Sequence, residues 1–237
     1  MMDFKDFYIL GLPIKTNIGQ CYFLKVKEYP DYFADLQIIA MTKEQIIYKY
    51  GELNKNGSLD EFINELKKLT LFEIALGIPE LRESYCKLFD KAFNKKEVLF
   101  NIKVEEFTYY RSLIMAMNCL KEETINPNPE IQRAIERSRR VKQQDGENTS
   151  FADIVTSIVG YNGLSYNDIN EFTIYQMYMT YYRIAQIKSY DTSTLFATVA
   201  EKVQIDSWSK HIDLFEEEKH YVTKEDFKEK SNSLFGK

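Results

Sequence analysis

The stretch DINEFTIYQMYMTYYRIA, Asp168 to Ala185, decides the fold because it offers two apolar stripes to one helix and contains neither glycine nor proline. Ile174, Met177, Tyr178, Tyr181, Ile184 and Ala185 recur at helical spacing on one stripe. Phe172, Tyr175, Met179 and Tyr182 form the second. A helix with one apolar stripe packs once, whereas two stripes mean deep burial or a second packing partner. The spacing predicts one long helix, opened by Ser165 or Asn167 and running through Ile187. One reading makes it a central core helix. The other uses Tyr175, Met179 and Tyr182 as a face for a partner, because Met repacks around varied shapes and Tyr tolerates partial wetting.

Downstream, Asp191 to Thr194 is polar, Leu195 to Val203 reads as helix again, and Trp208, Ile212 and Phe215 suggest a last amphipathic helix. Upstream, a short helix is expected from Phe151 to Val159, ending near Gly160 and Gly163. The basic stretch PEIQRAIERSRRVKQQ predicts a helix over 130–143 bearing Arg133, Arg137, Arg139, Arg140 and Lys142. Asn126-Pro127-Asn128-Pro129 disfavours helix before it and marks a boundary.

The first half reads as helices behind a short β segment. Phe7 to Leu10 is a candidate strand. Ile14 to Thr16 and Cys21 to Leu24 flank a turn at Asn17-Ile18-Gly19, where Gly19 supplies positive φ. Thr42 with Gln45, Ser58 with Glu61 and Thr70 with Glu73 have capping-box spacing, which satisfies backbone donors left open by a first helical turn. Leu81, Tyr85, Leu88 and Phe89 follow Pro79 at helical spacing, Val98 to Phe100 reads as a strand or buried linker, and Phe107, Tyr110, Ile114 and Met117 form a further stripe. The expected fold class is therefore mainly α with a small N-terminal antiparallel β-hairpin (α+β). The expected division is an N-terminal α+β domain at 1–125, a helical domain at 126–218, and a charged tail at 219–237. No internal repeat or low-complexity tract is present.

Composition narrows the function classes. With 237 residues and 44% hydrophobic content the chain has a core of ordinary size, in one large domain or two small ones. No apolar run reaches the ~18 residues of a spanning helix. The start, MMDFKDFYILGLPIKT, has neither a cationic region nor a long apolar run, which argues against export by a signal peptide. Cys21, Cys86 and Cys119 are an odd number without CxxC spacing, so the expectation is a reducing cytoplasm rather than a disulfide or zinc framework. A net charge of -5 argues against a general nucleic-acid coat. The 17 Tyr and 16 Phe, against one Trp, favour half-wet surfaces or a boundary layer of the core.

Chemistry-bearing motifs are sparse. His211 and His220 are nine apart, so one helix face cannot offer both to a metal. Asp213 and Glu216 near them leave a weak divalent site as the minor alternative. GxGxxG, GxxxxGK[ST] and GxSxG patterns do not occur. The cysteines have no neighbouring His to activate a thiolate. The expectation is a non-enzyme with no catalytic residue, metal or cofactor; an acidic metal-dependent enzyme is the third class. Arg137, Arg139 and Arg140 are candidate contacts for an acidic partner. The acidic run at Asp213, Glu216, Glu217 and Glu218 has the opposite sign.

Several segments together resemble a family of tail assembly chaperones from phages of low-GC Gram-positive hosts. They are PIKTNIGQCYFLKVKEYPDYFADL (Pro13 to Leu36), VEEFTYYRSLIMAMN (Val104 to Asn118), NPEIQRAIERSRRVK (Asn128 to Lys142), Phe151 to Ala197, and WSKHIDLFEEE (Trp208 to Glu218). About two thirds of the chain is covered, and specificity lies in the order of segments. The resemblance implies a non-enzymatic factor that binds the tape measure protein and recruits tail tube protein. It also implies action in the host cytoplasm, absence from the mature virion, and a short form beside a frameshifted longer one. Self-association stays open, and no membrane partner is expected; the runner-up is a phage-encoded regulatory or nucleic-acid-binding protein using the basic helix 130–143.

Overall fold

The structure is a computed structural model and describes residues 4–54, 56–122, 125–126, 129–144, 149–200 and 203–215. The tail at 219–237, the loop residues 145–148 and Glu216 to Glu218 lie outside the described residues. The chain is mainly helical with a small two-stranded antiparallel sheet, as the sequence predicts. In order it forms α1 (Phe4–Leu10), β1 (Ile14–Thr16), β2 (Gly19–Cys21), a 3-10 turn (Val26–Glu28), α2 (Tyr29–Ala40), α3 (Lys43–Leu53), α4 (Asp60–Lys68) and α5 (Leu71–Gly77). There follow α6 (Pro79–Phe93), α7 (Val98–Asn101), α8 (Val104–Met117), α9 (Pro129–Gln144), α10 (Phe151–Asn162), α11 (Tyr166–Asn170) and α12 (Ile174–Phe196).

Capping chemistry sets many of these starts. Thr42 and Thr70 accept from the backbone N–H three residues on, while Gln45 and Glu73 reach back. Ser150 with Asp153 and Ser165 with Asp168 do the same for α10 and α11. Ser58 does not cap α4. Asn54 takes that place, accepting from Leu59 N–H at 2.9 Å and donating to Asp60 at 2.7 Å.

Other local expectations are corrected by tertiary contacts. Phe7 to Leu10 is helix, not strand. A four-residue apolar run does not by itself distinguish the two. The helix ends in a Schellman motif: Gly11 at φ 64 donates to Tyr8 O, and Leu12 donates to Phe7 O. The second strand pairs only Gly19 to Cys21 with Ile14 to Thr16, because Tyr22 N–H leaves the sheet to donate to Ala92 O at 2.7 Å. Val98 to Phe100 opens a single helical turn whose first N–H groups are taken by the Asp90 carboxylate. Helix α12 continues through Asp191 to Thr194, with Thr194 donating back to Tyr190 O, and ends at Phe196 rather than restarting at Leu195.

The expected long helix is in fact two. Thr173 forms a fresh capping box with Gln176, so α11 and α12 are separated at Glu171 to Thr173. The gap is filled by the N-terminal segment. Val26 N–H donates to Phe172 O at 2.8 Å and Ile174 N–H donates to Leu24 O at 3.1 Å. Lys25 and Lys27 clasp Glu171 at 2.5 Å each, and Tyr29 stacks on Phe151 at 4.4 Å. Buried side chains from Ile14 to Met117 and from Ile154 to Met177 consequently form one hydrophobic cluster. It includes the mutually packed rings of Tyr85, Phe89 and Phe107.

Two outcomes follow. Thr173→Ala should lower unfolding free energy by about 1–2 kcal/mol in urea titrations, because it removes a cap at a buried join. Ser58→Ala should change it by less than about 0.5 kcal/mol. Hydrogen bonds from Lys25 and Lys27 hold the Glu171 carboxyl down at about 2, against an ordinary 4.5. Its stabilisation is complete above that ordinary value and disappears as pH falls toward 2. Denaturation at stepped pH should therefore show a fall over this window that is smaller in Glu171→Gln, and smaller again in high salt.

Candidate partner-binding site

Helix α12 is graded from core to surface. Ile174, Tyr175 and Met177 are buried, Tyr178, Met179, Tyr181 and Ile184 are half-buried, and Tyr182 is 46% exposed. Leu195 and Phe196 at its end are exposed. The candidate stripe is therefore divided. Tyr175 is 7% exposed, its ring meeting Tyr8 edge-on at 5.2 Å, so α1 covers it inside the chain. That placement removes Tyr175 from any accessible face. Met179 packs at the core margin, and Tyr182 lines a cavity.

This cavity, about 570 Å³, opens between the C-terminal end of α2, the start of α3, the segment after α8, and α12. Ala40, Met41 and Leu120 provide apolar wall; Tyr178 and Tyr182 come from α12; Lys49 and Lys121 add positive charge. Leu214 completes the lining. A neighbouring cavity of about 330 Å³ shares Leu120 and Lys121 and takes Phe215 in place of Leu214. Burial pushes the Tyr178 phenol and the Cys119 thiol up to about 12 each, so both stay protonated near neutrality.

The walls are held by Arg111, which the sequence stripe hid. Position 111 is four after Phe107 and three before Ile114, so it falls on the buried face, and the side chain is only 2% exposed. Nε donates to Ile39 O at 2.9 Å and to the Tyr85 hydroxyl at 3.2 Å, and Nη2 donates to Met41 O at 3.1 Å. Nη1 pairs with Glu122. The guanidinium thus satisfies end carbonyls of α2 and ties the 119–122 segment to them. Two parts of the wall, the end of α2 and the segment after α8, depend on one planar group. An arginine embedded in an otherwise apolar helical stripe was the sequence signal for it.

The polypeptide at 203–215 lies outside regular structure, in place of the expected amphipathic helix at Trp208 to Phe215. Arg183 explains this. Its Nη1 donates to Trp208 O at 2.6 Å and to Lys210 O at 3.1 Å, taking carbonyls that a helix would use internally.

The basic helix forms as expected, as α9. Arg137 is exposed, and Arg133 reaches Glu52 of α3 at 3.4 Å. The side chains of Arg139 and Arg140 lie outside the described residues. Helix α9 buries Gln132 and exposes Ile131 and Ile135, the reverse of a simple amphipathic helix. Among the described residues the cavity lining includes Tyr182 and no residue of α9, so the two candidate patches are not brought together there. Also among the described residues, no group of three or more His, Cys, Asp or Glu side chains is placed to hold a metal ion.

Replacing Arg111 with Leu should cost about 2–4 kcal/mol, measured by chemical denaturation, because buried carbonyls and a carboxylate lose their donor. Arg111→Lys should recover only part of this, since an ammonium lacks the planar fork.

Comparison with known proteins agrees over the whole length. No solved structure matches the chain. Residues 2–127 match the YomV N-terminal domain and residues 141–213 match the YomV second domain. An SPbeta prophage-derived protein of Bacillus subtilis strain 168, YomV, is 40% identical over 237 residues, covering all of both chains. Matched in both of its halves and across its full extent, the chain belongs to the YomV family.

Proposed function

We propose that the chain is a bacteriophage tail assembly chaperone: it binds the tape measure protein and assists tail tube assembly. It acts in the host cytoplasm without catalysis, delivers tail tube protein to the complex, and is left out of the finished virion. The observation that carries this reading is the outward course of α12, which brings Tyr182 to a cavity edged by Lys49 and Lys121 and leaves Leu195 and Phe196 exposed beyond it. The prophage origin of the Bacillus subtilis relative supports the phage setting. The ordered resemblance described above supports the tail-assembly role.

A protein that keeps a long apolar helix soluble needs adaptable aromatic surface and net charge rather than a shaped active site. Met179 and Tyr182 supply the contact in this reading. Arg137, with Arg139 and Arg140 beside it in sequence, steers acidic partners, which acts on encounter rate more than on final affinity.

Co-expression with the tape measure protein of the same phage genome tests this directly. Soluble tape measure protein should rise in the presence of the wild-type chain. Tyr182→Asp should weaken binding about tenfold, roughly 1.4 kcal/mol, with the circular dichroism spectrum unchanged. Arg137→Glu should slow association and flatten its salt dependence. No gain in soluble partner, together with steep salt-dependent binding to DNA, would replace this reading with the nucleic-acid one.

A further inference from the structure

We propose that Asn56 is a site of spontaneous deamidation, converted by its own backbone to aspartate and isoaspartate, and that the fold withholds the same reaction from Asn162. The inference does not rest on the chaperone reading. Asn-Gly is the dipeptide that cyclises most readily, because glycine leaves the attacking nitrogen uncovered. It occurs twice in the chain, at Asn56-Gly57 and at Asn162-Gly163. Nothing in the dipeptides separates them, but their surroundings do.

Asn56 lies between α3 and α4, outside any helix, and is exposed. Among the described residues neither its side chain nor the Gly57 N–H has a hydrogen-bond partner. Gly57 turns the chain at φ 72, and the one atom a side chain there would meet is Asp60 Oδ2, at 3.4 Å. The Asn56 carboxamide can therefore swing over the Gly57 nitrogen without breaking a bond. Asn162 is placed differently. It is the last residue of α10, and Gly163 N–H donates to Val159 O at 3.0 Å. The nitrogen that must attack is thus held in a helix cap. Helical geometry also tilts the Asn162 side chain back toward the start of α10, away from that nitrogen, so ring closure there requires the helix end to open first.

The reaction needs only water. The Gly57 nitrogen attacks Asn56 Cγ, its proton passes to hydroxide or buffer, and the Cγ–Nδ2 bond breaks. The amide nitrogen takes a proton from water and leaves as ammonia, and a five-membered imide remains. Water then opens the imide at either carbonyl. Opening at Cγ leaves aspartate. Opening at the Asn56 backbone carbonyl leaves isoaspartate, in which the main chain runs through the former side chain. Either product adds one negative charge to a chain that carries -5. Isoaspartate also inserts one backbone atom into the loop that Asn54 clips shut, through Leu59 N–H at 2.9 Å and Asp60 at 2.7 Å. Those two bonds set the start of α4, so a lengthened loop loosens that start.

The full-length protein, aged in mildly alkaline buffer and then mapped by peptide mass spectrometry, tests this. The Asn56 peptide should convert to two acidic isomers about tenfold faster than the Asn162 peptide converts. In urea the two sites should convert at similar rates, because the difference belongs to the fold. Gly57→Ala should slow conversion at Asn56 about tenfold, since a methyl group covers the attacking nitrogen. Asn56→Gln should leave the position an amide over the same period, because its ring closure would be six-membered. Hydrogen exchange at the Leu59 amide should speed up in the isoaspartate form but not in Asn56→Asp, which adds the charge without the extra backbone atom. A native protein in which Asn56 stays an amide, or in which both sites convert equally, overturns the assignment. A difference that persists in urea overturns the part given to the fold. Unaltered Leu59 exchange in the isoaspartate form overturns the effect on α4.

Discussion

The join between the two halves of the molecule rests on an exchange of two backbone hydrogen bonds. A continuous helix from Ser165 onward would have paired Phe172 O and Ile174 N–H internally. With the break at Glu171 to Thr173, those groups pair instead with Val26 N–H and Leu24 O. Buried backbone polar groups are expensive to leave unpaired, so the break and the strand-like segment require each other. The rest of the join is arranged around this exchange. Tyr22 anchors the same segment to α6, Glu171 receives two lysines, Tyr29 stacks on Phe151, and α1 closes over Tyr175. A single hydrophobic cluster across both halves is the result.

Local chemistry made much of this legible. The pairs Thr42 with Gln45 and Thr70 with Glu73 carry their own mechanism, and the helices start where they say. Gly163 at φ 66 ends α10, and Pro79 opens α6. The failures share a cause of longer range. Ser58 had the right spacing, but Asn54 folded back to do the work. Thr173 with Gln176 had the same spacing inside an apolar helical run, and only the arriving N-terminal segment made the cap win. Trp208, Ile212 and Phe215 had helical periodicity, yet Arg183 lies 25 residues earlier and withdraws the carbonyls that periodicity needs. A pattern within one window cannot register a competitor outside it.

The candidate site was legible in part for the same reason. Tyr182 emerged from the stripe on α12, but Tyr175 on that stripe is spent on Tyr8. The opposing wall is assembled from Met41, Lys49, Leu120 and Lys121, residues with no common motif. Arg111 links two of its parts, the end of α2 and the segment after α8. By holding Ile39 O, Met41 O and Glu122 together, one buried cation converts a helix end and an irregular segment into a fixed surface. The cavity is thus fixed on the side of α2 and the segment after α8, and bounded by Tyr178 and Tyr182 on the side of α12.

Phe215 lines the smaller cavity together with Leu120 and Glu122. A label coupled at position 215 would therefore sit beside the carboxylate that Arg111 pairs with, not in open solvent. A label at Tyr8 would instead disturb α1 where it covers Tyr175. For labelling and for imaging alike, these two positions are chemically unequal places to build.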